Sequence, residues 1–162
     1  MFVVYNFIVL LASQILKIVA LLSPKMKLFV DGRKTVFATL ESKIDSSDKT
    51  IWFHAASLGE FEQGIPVMEK IKEKYPLHKI IVTFFSPSGY EVRKNNSVAD
   101  VTVYLPLDTK SNAEKFIELI NPELVLFIKY EYWSNYLNEL KKRHIKTYLI
   151  LGILRENQAF FK

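Results

Sequence analysis

The chain has 162 residues, 49% apolar and 24% charged, a balance that supports one domain with a core and argues against disorder. It contains no cysteine, which excludes disulfides, thiolate metal sites and cysteine nucleophiles; His54, His78 and His144 are scattered without zinc-ligand spacing, so no metal site is expected. The net charge of +5 favours anionic partners without choosing among nucleic acid, phospholipid headgroups and a phosphorylated substrate.

From Phe2 to Leu22 the strongly polar side chains are Asn6, Ser13, Gln14 and Lys17, and about 20 residues is the helix length that crosses a hydrocarbon core. The segment reads as a membrane-anchor helix, residues 1–24, ahead of a domain at residues 25–162. No basic residue precedes Lys17 and no small-residue cleavage site follows Leu22, which argues against a cleaved signal peptide. Lys25, Lys27, Arg33 and Lys34 flank the segment and, by the positive-inside rule, hold the remainder on the cytoplasmic side. Gln14 and Lys17 leave open a helix that lies in the interface or packs against protein.

A second helix is expected around Met26 to Leu40, followed by a polar connection from Glu41 to Lys49. A regular alternation then begins. Strand-like runs at Thr50–His54, Lys79–Phe85, Val101–Leu105, Leu124–Lys129 and Lys146–Leu151 alternate with helix-like segments at Glu60–Tyr75, Pro87–Asn95, Ser111–Ile120 and Tyr132–His144. Two Ser-x-x-Glu capping boxes, Ser57 to Glu60 and Ser111 to Glu114, set the helix starts, and Asn121-Pro122 stops a helix because proline disfavours helical geometry in the residue before it. The basic run Lys141 to His144 falls at a helix end, where cations complement the dipole. The series predicts an α/β fold, a Rossmann-like parallel sheet with helices on both faces, preceded by the membrane helix.

Ligands of open α/β sheets bind beyond the carboxyl ends of the strands. Those ends are followed here by His54 to Glu60, Ser86 to Gly89, Pro106 to Asp108, Lys129 to Trp133, and Gly152 to Arg155. There is no Gly-x-Gly-x-x-Gly after the first strand and no Walker A sequence, so the two commonest cofactor readings of such a sheet lack support. Glu60 opens a helix, where a carboxylate either caps the helix alone or also serves as a base. Ser86, Ser88 and Gly89 form either an anion-holding turn or a plain Ser-Pro-x-Gly turn. Glu131, beside Tyr130, Tyr132 and Trp133, is either a surface charge or a site carboxylate. His54 at a strand end is either a structural histidine or a catalytic one.

The sequence His54-Ala55-Ala56-Ser57-Leu58-Gly59-Glu60 resembles the His-Ala-x-Ser-x-Gly-Glu signature of 3-deoxy-D-manno-octulosonic acid (Kdo) transferases. The likeness continues in order through Thr83 to Gly89, through Tyr104-Leu105-Pro106-Leu107-Asp108, and through Lys129 to Asn135, with Gly32-Arg33 upstream. The resemblance implies the N-terminal, acceptor-binding half of a glycosyltransferase-B fold at the cytoplasmic face of the inner (plasma) membrane, with the C-terminal donor domain absent. It implies transfer of Kdo from CMP-Kdo to the 6′-hydroxyl of the lipid A precursor (lipid IVA), with inversion and with no cofactor or metal. Lipid A precursor, CMP-Kdo and membrane would be the partners, and nucleic acid would not. Glu60 matches the family's catalytic base; Ser57, Gly59, Ser86, Ser88 and Gly89 would line the acceptor pocket, and Glu131 would bind or position the substrate. The alternative is a non-catalytic, membrane-attached module that binds an acidic lipid. Lys129, Ser134 and Phe84 depart from the family pattern, and Leu151 to Arg155 keep its fifth-strand motif poorly, so no arginine role is carried to Arg155.

Overall fold

The computed structural model describes residues 2–129 and 131–152. Its elements run α1 (Phe2–Val19), α2 (Pro24–Lys34), α3 (Val36–Lys43), β1 (Lys49–Ala55), α4 (Leu58–Lys74), β2 (His78–Phe84), α5 (Pro87–Arg93), β3 (Val101–Tyr104), α6 (Lys110–Ile120), β4 (Pro122–Ile128), α7 (Ser134–Lys142) and β5 (Lys146–Ile150). The five strands form one sheet in the order β3-β2-β1-β4-β5, and every pair is parallel. All five therefore end on one rim, with β1 at the centre.

Alternation along the central strands explains the layering, because successive side chains point to opposite faces. Trp52 packs with Ile81, Val125, Phe116, Tyr136 and Leu40 on the face covered by α3, α6 and α7. Its neighbours Ile51 and Phe53 pack with Ile80, Val82, Phe61 and Met68 on the face covered by α4. Both faces of the central strands are buried, so these strands read as continuous apolar runs, while the edge strand β5 is largely exposed.

The helix expected over Met26 to Leu40 is two helices that meet at Thr35, whose φ of −98° and ψ of −2° end α2 and precede α3. The break lets Val36 and Leu40 bury against the sheet while α2 takes another direction. Gly32 is required on α2, since a Cβ there would lie 2.2 Å from the Tyr104 ring. The helix α3 also takes the first residues of the expected connection. The start of α6 is corrected as well. Its N-cap is Thr109, whose hydroxyl accepts from Asn112 N–H, so the Ser111 to Glu114 box lies inside the helix. Asn121 closes α6 in the left-handed conformation (φ 37°), and Pro122 begins β4.

The membrane helix is overturned: among the described residues no helix is long and apolar enough to cross a membrane. The helix α1 has 18 residues and ends at Val19, short of the apolar run that continues to Leu22. Its rise of about 27 Å falls below the ~30 Å of a hydrocarbon core. Two of its polar side chains, Tyr5 and Asn6, also face protein. Tyr5 Oη donates to Asp108 Oδ2, and Asn135 Nδ2 donates to Asn6 Oδ1 at 2.9 Å. The membrane localisation that rested on a spanning helix falls with it.

Candidate functional site

The exit from β1 fixes the first part of the site. Ser57 is extended (φ −137°) and caps α4, with Glu60 in the first turn of the helix. Glu60 Oε2 accepts from Ala56 N–H at 2.6 Å and from Ser57 N–H at 3.2 Å. The carboxylate does cap its helix, as one sequence reading held. Glu60 Oε1 accepts no hydrogen bond among the described residues and is not among the sealed, unpartnered polar atoms. One oxygen is anchored and the other is open. Gly59 is exposed, and a Cβ added there would meet nothing within 4 Å.

The exit from β2 lies against it. Phe85 N–H donates to Ala55 O at 3.4 Å and Ser86 N–H to Ala56 O at 2.9 Å, so the two loops run side by side. Ser86 caps α5, accepting from Ser88 N–H at 3.3 Å, and the two hydroxyls are 2.7 Å apart. Gly89 is buried. A Cβ there would lie 2.6 Å from the Phe84 ring and 3.0 Å from Leu58 N, so this glycine lets the starts of α4 and α5 approach. Ser57, Gly59, Glu60, Ser86 and Ser88 are thus brought together, with Gly89 in the packing beneath them.

Glu131 reaches the same rim from β4. The chain leaves that strand through Lys129, which has a left-handed φ of 63°, an uncommon conformation for a residue with a side chain. Trp133 Nε1–H is shared between Glu131 Oε2 at 2.8 Å and His54 Nε2 at 3.1 Å, with the carboxylate 3.4 Å from that nitrogen. His54 is fully buried, and its Nδ1 lies 2.8 Å from Thr83 Oγ1, which also accepts from Trp52 Nε1–H at 2.8 Å. His54 thus ties β1 to β2 and to the loop carrying Glu131. Trp133 then stacks on Phe85, ring centres 4.7 Å apart, joining this cluster to the serine turn.

Thr83 and Trp133 stand in rim motifs of the sequence but have no role assigned there, and Trp52 is not singled out at all. The available signal was register: Thr83 is the β2 partner of His54, and Trp52 lies two residues before His54 on the same face. Asp108, read as a rim residue, instead caps another helix. Its carboxylate accepts from Asn135 N–H at 3.1 Å and Tyr136 N–H at 3.2 Å at the start of α7. Arg33 is also placed by the structure. It donates to the carbonyls of Phe29 (2.8 Å), Phe85 (2.8 Å) and Leu105 (2.9 Å) and stacks 3.6 Å above the Phe29 ring. Burial pushes its pKa down to about 9, which leaves a cation at neutral pH behind the serine turn. Tyr130 and Ile153 to Arg155 lie outside the described residues.

A five-stranded parallel sheet with its polar loops gathered at one rim defines a Rossmann-like α/β unit of the kind that forms half of a glycosyltransferase-B fold. Residues 32–160 match the family model described as 3-deoxy-D-manno-octulosonic-acid transferase (kdotransferase), and the chain belongs to that family. It is 27% identical over 133 residues to the 3-deoxy-D-manno-octulosonic acid transferase of Chlamydia trachomatis serovar D, covering 81% of this chain and 31% of that protein. The enzyme of the same name from Aquifex aeolicus is 34% identical over 86 residues, 52% of this chain and 24% of the relative. The Haemophilus influenzae one is 33% identical over 96 residues, 59% and 22%. The chain thus spans about a third of the length of the Chlamydia trachomatis relative.

Proposed function

We propose that the chain is the acceptor-binding half of an inverting glycosyltransferase that moves Kdo from CMP-Kdo to the 6′-hydroxyl of a lipid A precursor. The observation that carries this reading is the Glu60 carboxylate, held through one oxygen by the N–H groups of Ala56 and Ser57 and open at the other. A sugar hydroxyl is a weak nucleophile, and a positioned base can take its proton as the new bond forms. In the proposed step Glu60 Oε1 accepts the hydroxyl proton, the oxygen bonds to the anomeric carbon, and the bond to CMP breaks from the opposite face. Gly59 leaves room beside the carboxylate, Ser86 and Ser88 offer hydroxyls to the acceptor, and Glu131 receives polar groups from the β4 side. The CMP-Kdo site would be supplied by a second domain.

The test is to add a separately produced donor half in trans and follow Kdo transfer to the acceptor. Glu60→Gln is expected to lower transfer by roughly 10²- to 10⁴-fold while acceptor binding survives. Full activity in that variant would remove Glu60 from the mechanism. The use of the Glu60 carboxylate as a cap for its own helix favours a second reading, in which these residues hold a phosphorylated lipid without chemistry. Orientation of both reactants supplies much of such a rate. Transfer by the purified chain alone would rule that second reading out.

A further inference from the structure

A cavity of about 210 Å³ lies between α1, α2 and the loop after β3. Leu16, Phe29, Val30, Phe37 and Leu107 give it apolar walls, and its charged lining residues are Lys17, Arg33 and Lys34, with no carboxylate among them. A wider groove of about 550 Å³ shares Lys17, Val30 and Lys34 with it and adds Lys27. The one acid in that groove, Asp31, is bonded to Lys34 at 2.7 Å. An apolar slot thus opens through a mouth that holds three lysines against one aspartate. Arg33 adds a partly buried cation whose three hydrogen bonds all go to backbone carbonyls and none to a carboxylate. The lining therefore carries an excess of positive charge, which favours an anionic ligand.

We propose that this cavity seats one hydrocarbon chain of an anionic, phosphorylated amphiphile, with its phosphate at the lysine mouth. The apolar walls and the excess of positive charge choose the two ends of the ligand. A neutral hydrocarbon would leave the cations unanswered, and inorganic phosphate would leave the apolar slot unfilled. The proposal deepens the transferase reading and rests on it for the identity of the acceptor. Arg33 gives the physical link, since it lines the cavity and also bonds Phe85 O, one residue before the serine turn. A tail held here would be anchored beside the site in which its sugar is held.

The test is titration calorimetry on the chain with butyl, hexyl and octyl phosphate as monomers, beside octanol and inorganic phosphate. Affinity should rise roughly fourfold per methylene along the series. Octanol should bind at least about tenfold more weakly than octyl phosphate, and inorganic phosphate should not bind measurably. Val30→Trp, which fills the slot, should abolish octyl phosphate binding, and Leu16→Trp is a second filler should the first fail to fold. Lys17→Glu with Lys34→Glu should erase the preference for octyl phosphate over octanol. Affinity that ignores chain length, or octyl phosphate binding unchanged in a folded filler variant, would overturn the proposal. Because no transfer is measured, a negative result here beside Glu60-dependent transfer would place the tail elsewhere and leave the transferase reading standing.

Discussion

On the proposed reading, Glu60 carries two functions without conflict. Its Oε2 closes the start of α4, and its Oε1 is open for a proton. Sequence spacing left cap and base as open readings and could not say that the two would use different oxygens, because that is a matter of side-chain rotamer. The two glycines beside it look alike in sequence and differ in the fold. Gly89→Ala should destabilise by about 1–3 kcal/mol, since its Cβ would meet an aromatic ring and a backbone nitrogen in a packed region. Gly59→Ala should change stability by less than about 0.5 kcal/mol, since its Cβ would meet nothing. Urea midpoints of the two variants give the comparison, and equal losses would mean that the space beside Gly59 is not open. If Gly59 faces the acceptor, its alanine variant should still raise KM for transfer.

The elements follow local chemistry except where distant groups intervene. Asn121-Pro122 ends α6 as the dipeptide requires, and Ser57 begins α4 as its capping pattern requires. The start of α7 was not legible, because its cap is Asp108, which lies 27 residues before Asn135. Asp108→Ala should cost about 1–2 kcal/mol, read from a urea midpoint, through the loss of two N–H partners at that helix end. The helix α1 was misjudged for a related reason. Its hydropathy dominates the sequence, while the contacts of Tyr5 and Asn6 with Asp108 and Asn135 decide where it docks. Burial first, and then the Asp108 carboxylate, raise the Tyr5 pKa well above the ordinary tyrosine value. The folded chain then keeps a phenol proton that the unfolded chain releases, so this contribution is intact below about pH 10 and is lost as pH rises beyond it. Arg33 runs the other way, its folded pKa being depressed, so the comparison of wild type with Tyr5→Phe isolates the tyrosine. Between about pH 9 and 11 the stability difference between the two should shrink. A constant difference would mean that the phenol proton has no part in docking α1.

At the scale of the whole molecule, alternation of apolar runs with helical periods was enough to predict a parallel α/β sheet, because burial on both faces imposes that pattern. Parallel pairing also puts the five strand ends on one rim, and register then assembles the cluster that spacing could not show. His54 pairs with Thr83 on one side and Phe127 on the other, which places its ring where the loop carrying Glu131 and Trp133 folds back. Residues 32–160 match the transferase family model, and the chain spans about a third of the length of the Chlamydia trachomatis relative. The most direct measurement is Kdo transfer by this chain with a donor half supplied in trans, wild type beside Glu60→Gln, with acceptor binding measured in both. Transfer that depends on both halves and is lost in the glutamine variant, with acceptor binding retained, is the predicted result. Transfer that proceeds undiminished without that carboxylate would contradict the account.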